Sequence, residues 1–110
     1  MRQVIQTYSF ADEGSSGVTY PVVMDQYISP FNVSVAIVPT DTATYTVQHT
    51  FDDPFATDFT PATAVWFSHP DLTSESGNND GNYAFPVRAI RLNVSAADNN
   101  VTFYVTQAGI

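Results

Sequence analysis

Apolar and polar residues alternate with a period of two along several short segments of this chain. The two clearest segments are residues 31–38 and 43–51, and two more lie near the C-terminus at residues 86–94 and 101–107. Successive side chains of a β-strand point to opposite faces of a sheet, so this alternation is typical of strands that bury one face. The pattern therefore predicts four well-defined strands, each with an apolar side that needs a covering layer.

Short segments rich in turn-forming residues separate the members of each pair of strands. These segments are residues 38–42 and residues 95–100, and they predict a β-hairpin in each half of the chain. Weaker alternation predicts further short strands at residues 3–8, 18–24 and 63–68.

Six or seven short strands separated by regular turn signals indicate an all-β fold, an antiparallel β-sandwich or jelly-roll-like single domain. The composition agrees, with 13 Val, 13 Thr, 6 Tyr and 8 Phe against 2 Leu and no Lys. β-Branched and aromatic residues favour strands, whereas the good helix formers are scarce. We expect residues 1–110 to form one domain, in which residues 1–17 are a candidate extended or flexible N-terminal segment.

Two longer connections interrupt the predicted strands. Residues 52–62 begin with Asp-Asp-Pro, and residues 69–83 contain a run of small polar residues. The second connection is long for a compact domain, and connections of that length are usually functional or disordered. We therefore expect a loop at residues 69–83.

The charge balance excludes several classes of function. Eleven acidic residues stand against three arginines and no lysine, which gives a net charge of −8. Nucleic-acid binding and polybasic membrane contact both require clustered basic side chains, so neither is expected. The acidic surface favours solubility, and it is also compatible with docking onto a basic partner.

The cysteine count and the N-terminal sequence indicate the cellular compartment in which the protein is synthesised. The chain has no cysteine, which excludes disulfides, zinc-thiolate sites and thiol catalysis. No segment at the N-terminus has the apolar core of a signal peptide, and no run approaches the length needed to span a membrane. We expect synthesis in a cytoplasm.

Candidate chemical groups are few, and no catalytic motif accompanies them. Asp52, Asp53 and Asp58 offer oxygen ligands of the kind that calcium prefers, but their spacing matches no EF-hand and Asp-Asp-Pro is ordinary turn chemistry. His49 lies on the apolar face of its strand, where a core or edge position is expected, and His69 precedes a proline in a predicted loop, where exposure to solvent is expected. We expect no enzyme activity, no metal and no cofactor, so a small metal-dependent hydrolase built on the aspartates is the least favoured alternative.

The aromatic residues and arginines of the C-terminal half are the candidate interface. Trp66 and Phe67, with nearby Tyr83 and Phe85, are suited to an interface anchor or a sugar-stacking platform, although a core tryptophan between two sheets is the favoured interpretation. Arg88 and Arg91 fall on opposite faces of one predicted strand, so at least one of them should point inward or into an interface. Its partner carboxylate can belong to the same chain or to a neighbouring subunit.

The order of four segments carries a resemblance to a known group of proteins. Residues 45–54 form a strand-like run that ends in Asp-Asp-Pro, and residues 64–67 contain the tryptophan. Residues 86–94 read Pro-Val-Arg-Ala-Ile-Arg-Leu-Asn-Val, and residues 107–109 read Gln-Ala-Gly. This order resembles small virion structural proteins of tailed bacteriophages, and the resemblance covers roughly residues 43–109.

The resemblance implies a non-enzymatic component of the phage particle. It implies above all a decoration (cement) protein on the surface of the head, with the major capsid protein as partner and a homotrimer as the assembly. The group offers no catalytic residues to transfer to this chain. The alternative is a receptor- or glycan-binding module on a tail or fibre, which would use Trp66, Tyr83 and the connection at residues 69–83.

Overall fold

The computed structural model describes residues 4–8, 15–24, 32–97 and 100–107. In these ranges the chain forms nine strands and no helix that could cross a membrane. The strands are β1 (Val4–Tyr8), β2 (Ser15–Val18), β3 (Val22–Val23), β4 (Val33–Pro39), β5 (Ala43–Thr50), β6 (Trp66–Ser68), β7 (Asn79–Tyr83), β8 (Ala89–Ala97) and β9 (Val101–Gln107).

The strands are arranged in two antiparallel sheets that pack face to face. The first sheet has the order β1-β9-β4-β7, and the second has the order β2-β8-β5-β6 with β3 also beside β8. The predicted all-β, antiparallel sandwich is therefore confirmed. The described part of the candidate N-terminal segment, residues 1–17, contains β1 and most of β2.

The strand order is that of an eight-stranded jelly roll, in which β2 and β3 share one position along β8. The chain crosses between the two sheets after β1, β3, β4, β6, β7 and β8, and stays in the second sheet from β5 to β6. The connections after β5 and β7 lie at one end of the sandwich. This end carries the functional candidates.

Both predicted hairpins are wrong, although the strands themselves are present. β4 pairs with β9 and β7 in the first sheet, whereas β5 pairs with β8 and β6 in the second. β8 and β9 are separated in the same way. A turn signal shows where the chain reverses, but it does not show whether the next strand pairs beside the previous one or packs over it. Here the strands of each predicted hairpin lie in different sheets, and the apolar faces of the two sheets are buried against each other.

The core lies between the sheets and consists mainly of the alternating residues that the sequence indicates. Val33 and Ile37 of β4 are fully buried on one side, and Tyr45 and Val47 of β5 are fully buried on the other. All four belong to one cluster of packed apolar side chains that also includes Phe103 of β9. Phe31, the first residue of the predicted strand 31–38, lies outside the described residues.

The expectation of a loop throughout residues 69–83 is wrong, because this segment follows the edge of one sheet and then joins the other. The backbone N–H of His69 donates to Val47 O at 2.8 Å, and Leu72 O accepts from Val47 N at 2.9 Å. Glu75 and Tyr45 exchange two backbone hydrogen bonds of 2.9 Å each. The segment then forms β7 beside β4. The polar composition of β7 conceals a strand, because Tyr83 is the one side chain of β7 that is buried.

Leu72 fills the space where the chain passes from one sheet to the other. It is 1% exposed and belongs to the core cluster. Gly81 of β7 approaches it so closely that a Cβ atom at that position would lie 2.9 Å from Leu72 Cδ1. The close approach explains why this strand position has no side chain.

We expect Leu72→Ala to lower the free energy of unfolding by about 2–5 kcal/mol, because it leaves a cavity between the sheets. Urea titration followed by tryptophan fluorescence measures the change. Ile5→Ala is the control, since Ile5 is 56% exposed and its truncation should cost no more than about 0.5 kcal/mol. Equal losses for the two variants would show that Leu72 is not a core residue.

Candidate functional site

An exposed aromatic patch lies at the opening between the two sheets. It consists of Phe51, Phe67 and Phe85, which surround the ring of His49 at centroid distances of 5.5, 6.0 and 5.6 Å. The three phenylalanines are 51%, 49% and 46% exposed, whereas His49 is 5% exposed. The patch is therefore an apolar surface with a histidine beneath it.

The fold brings these residues together from separate parts of the chain. His49 of β5 is directly opposite Phe67 of β6, so both side chains lie on the same face of the second sheet. Phe51 continues the alternation of β5 beyond the end of that strand. Tyr83 ends β7 in the first sheet, and Phe85 follows it two residues later.

Tyr83 forms the buried floor of the patch. It is fully buried, its ring lies 5.0 Å from that of His49, and its hydroxyl is 2.9 Å from His49 Nδ1. Burial raises the pKa of Tyr83, so the phenol stays protonated. Burial, and to a smaller extent the nearby His69, lowers the pKa of His49. The floor of the patch is therefore uncharged at neutral pH, and the expectation of a satisfied core or edge histidine at position 49 is confirmed.

The expectation that His69 is exposed to solvent is wrong. His69 is 5% exposed, and its ring packs edge-on against Tyr83 with the centroids 4.8 Å apart. Its Nε2–H donates to Asn82 O at 2.8 Å, and its Nδ1 accepts from the backbone N–H of Asp71 at 3.1 Å. A carbonyl acceptor on one side and an N–H donor on the other require the neutral Nε2–H tautomer. His69 therefore links the connection between β6 and β7 to β7 itself.

Trp66 and Arg91 lie together on the outer face of the second sheet, so the interpretation of Trp66 as a core tryptophan between the sheets is wrong. Arg91 Cζ lies 4.0 Å from the centroid of the Trp66 ring, and Arg91 Nε donates to Gln48 Oε1 at 2.8 Å. Trp66 Nε1 donates to Pro61 O at 2.9 Å, and Arg91 Nη1 approaches the same oxygen at 3.4 Å. These contacts attach the connection between β5 and β6 to the sheet.

Arg88 forms an ion pair within the same chain. Its Nη2 lies 2.9 Å from Asp53 Oδ1, which also accepts from the backbone N–H of Phe55 at 2.9 Å. Asp52 Oδ2 accepts from Val65 N at 2.8 Å. The two aspartates thus stabilise the connection between β5 and β6.

Asp58 lines a cavity of about 310 Å³ with those two aspartates. Within the described residues, however, no three acidic or histidine side chains come together as a metal site.

The structure separates the five candidate interface residues into three places. Phe67 and Tyr83 meet at the aromatic patch, Trp66 and Arg91 stack on the outer face of the second sheet, and Arg88 pairs with Asp53. Sequence reasoning did not assign Phe51 and His49 to this surface. The signal was present, since Phe51 shares the alternating face of His49 and lies immediately before a turn-forming Asp-Asp-Pro.

Comparison with known proteins adds little to this geometry. No family model matches the sequence, and no curated protein matches it. A solved structure with some similarity comes from Bacillus endospore appendages, described as a novel family of disulfide-linked pili. The two chains are 11% identical, the match covers 98% of this chain and 85% of the other, and the TM-score is 0.39. Similarity at this level supports no conclusion about function.

We expect acid to destabilise the protein partly through His49. The pKa of His49 in the folded state is below its ordinary value of 6.5, so the unfolded state binds more protons as the pH falls through 6.5. The contribution of His49 to stability is therefore present above pH 6.5 and is lost as the pH falls toward the lowered pKa. Free energies of unfolding of the wild type and His49→Gln, measured between about pH 7.5 and about pH 5, should show a shallower dependence in the variant. Parallel curves would contradict this assignment.

We expect Arg91→Ala to be more destabilising than Arg88→Ala. Arg91 loses a ring contact and a charged hydrogen bond, for a total of about 1–3 kcal/mol. Arg88 loses an ion pair open to water, which is worth about 0–1 kcal/mol. Thermal or urea unfolding of the two variants under the same conditions gives the comparison. A larger effect of Arg88→Ala would show that the ion pair, and not the Trp66 stack, attaches the connection.

Proposed function

We propose that this chain is a non-enzymatic structural protein of a tailed-phage virion, which docks on the major capsid protein at the head surface and bridges neighbouring subunits. The resemblance of residues 43–109 to small virion proteins supports the particle as its location. The exposed aromatic patch of Phe51, Phe67 and Phe85 is the observation that best supports a binding function.

The patch has the anatomy of a protein-binding surface. Large aromatic side chains at the centre of an interface contribute most of the binding energy when a partner excludes water from them. Contiguous exposed apolar surface is uncommon on monomeric proteins and usually marks an interaction site. The half-exposed phenylalanines are already held in place by the buried His49 and Tyr83, so they lose little conformational freedom on binding.

The charge around the patch indicates the character of the partner. Asp52 and Asp53 follow Phe51 directly and are exposed at the rim, where Arg88 balances the charge of Asp53. Arg88 and Arg91 are both engaged within the chain, by Asp53 and by Trp66. An apolar centre with an acidic rim is complementary to a shallow apolar depression bordered by lysine or arginine on the partner.

Symmetry strengthens an interface of this size. Three half-exposed phenylalanines form a small contact, and a single small contact is weak. A homotrimer on a shell of repeated subunits engages three such contacts at once, which raises the overall affinity by avidity. The proposed assembly is therefore a homotrimer with one patch on each subunit, and sedimentation equilibrium of the purified protein tests it.

We expect the double variant Phe51→Ser, Phe85→Ser to lose binding to particles prepared without the protein, because it removes the centre of the patch. Cosedimentation with such particles gives the fraction bound, which should fall by at least about tenfold. The matched control is Phe55→Ser, since Phe55 is 77% exposed in the connection that follows Phe51. Circular dichroism confirms that each variant remains folded. Full binding by the folded double variant would refute the patch as the docking surface.

Gold-antibody labelling of intact particles separates the proposal from its alternative. Label spread over the head supports a decoration protein. Label confined to the tail or fibres refutes it and favours a receptor- or glycan-binding module.

A further inference from the structure

A groove crosses the outer face of the first sheet, on the side of that sheet that faces away from the core. Its volume is about 600 Å³, within the range of small-molecule binding sites. Its floor lies on β4, and its two walls lie on β7 and β9. The residues that line it include Ser34, Ala36 and Val38 on the floor, Asp80 and Asn82 on one wall, and Tyr104 and Thr106 on the other.

The strand register produces this groove. Ala36 is paired with Asp80 on one side and with Tyr104 on the other. Ser34, one step along β4, is paired in the same way with Asn82 and Thr106. Ser34 and Ala36 are smaller than most of their partners on the two neighbouring strands, which leaves a channel along this part of β4.

The polar groups of the groove are available to a ligand. Within the described part of the chain, the side chains of Ser34, Asp80, Asn82 and Thr106 make no hydrogen bond to the protein. Asn79, at the start of the same strand, instead donates to Tyr45 Oη and Ser76 O. Ser34, Asp80 and Asn82 are exposed, so their hydrogen-bonding groups are accessible to a ligand in the groove.

The chemistry of the groove narrows the class of ligand. β4 and β9 are paired on both sides, so neither the floor of the groove nor its β9 wall can accept an added peptide strand. No basic side chain lines the groove and Asp80 does, which disfavours phosphate, sulfate and acidic sugars. An aromatic ring beside a carboxylate, an amide and hydroxyls suits a ligand with one apolar face and several hydroxyl groups.

We infer that this groove binds a neutral saccharide. The ring of Tyr104 packs against the apolar face of a sugar, while Asp80 accepts from sugar hydroxyls and Asn82 both donates and accepts. The site is separate from the aromatic patch, which lies at the opening between the sheets. It goes beyond the proposed docking function, because a protein attached through the patch would also carry a sugar-binding face.

The test is a titration of isotope-labelled full-length protein, followed by amide NMR signals. The probes are glucose, galactose, mannose, N-acetylglucosamine, cellobiose and lactose, with glucuronic acid as the anionic counterpart. We expect at least one neutral probe to shift signals of β4, β7 and β9 with a Kd on the order of 1 mM. Glucuronic acid should shift them less than glucose does.

Variants on the two walls of the groove test whether the sugar binds there. Asn82→Ala and Tyr104→Ala should each weaken binding by about tenfold or more, whereas Tyr104→Phe, which keeps the ring, should retain most of it. Thr44→Ala, on the outer face of the second sheet, is the matched control and should bind as the wild type does.

Three results would overturn the inference. The first is that no neutral probe shifts the signals at concentrations well above that Kd. The second is that the shifts are confined to the aromatic patch. The third is that folded Asn82→Ala and Tyr104→Ala bind as tightly as the wild type does. The Phe51→Ser, Phe85→Ser variant should still bind sugar. Failure of the docking proposal and failure of this one are therefore distinguishable.

Discussion

The burial of two apolar sheet faces against each other is the constraint on which the rest of the structure depends. β4 and β5 follow each other in the chain, yet they lie in different sheets, and the same holds for β8 and β9. The alternating side chains of these four strands thereby form a continuous core. The jelly-roll order follows from this repeated crossing, and it places the edge strands β6 and β7 on the same side of the sandwich.

Uncharged polar groups fill the interior of the sandwich at that side. His49, His69 and Tyr83 are buried as neutral groups, and each has a hydrogen-bond partner. A buried polar group is costly unless it is paired, so these bonds allow the opening to be packed densely. The phenylalanines around His49 are consequently held half-exposed at the rim.

The two proposed surfaces have different chemistry because they occupy different positions in the fold. The aromatic patch is formed by inward-facing positions at the edges of both sheets, where the covering layer ends. The groove is formed by outward-facing positions of three paired strands, where solvent selects polar residues. Arg88 and Arg91 serve neither surface, because each is held by contacts within the chain. Among the described residues that follow Phe51 directly, Asp52 is the exposed acid whose charge no arginine balances.

The sequence by itself determined the all-β class and the four strongly alternating strands with their inward faces, because alternation and β-propensity are local properties. It did not reveal β7, whose residues are mostly small and polar. Val33, Ile37, Tyr45 and Val47 were all assignable to the core from their spacing alone. Only the tertiary structure decided which strands pair and which pack face to face, since both arrangements bury the same alternating residues. It alone placed Trp66 outside the core and brought Phe51, Phe67 and Phe85 together around His49. Those contacts join segments far apart in the chain, and no local pattern encodes them.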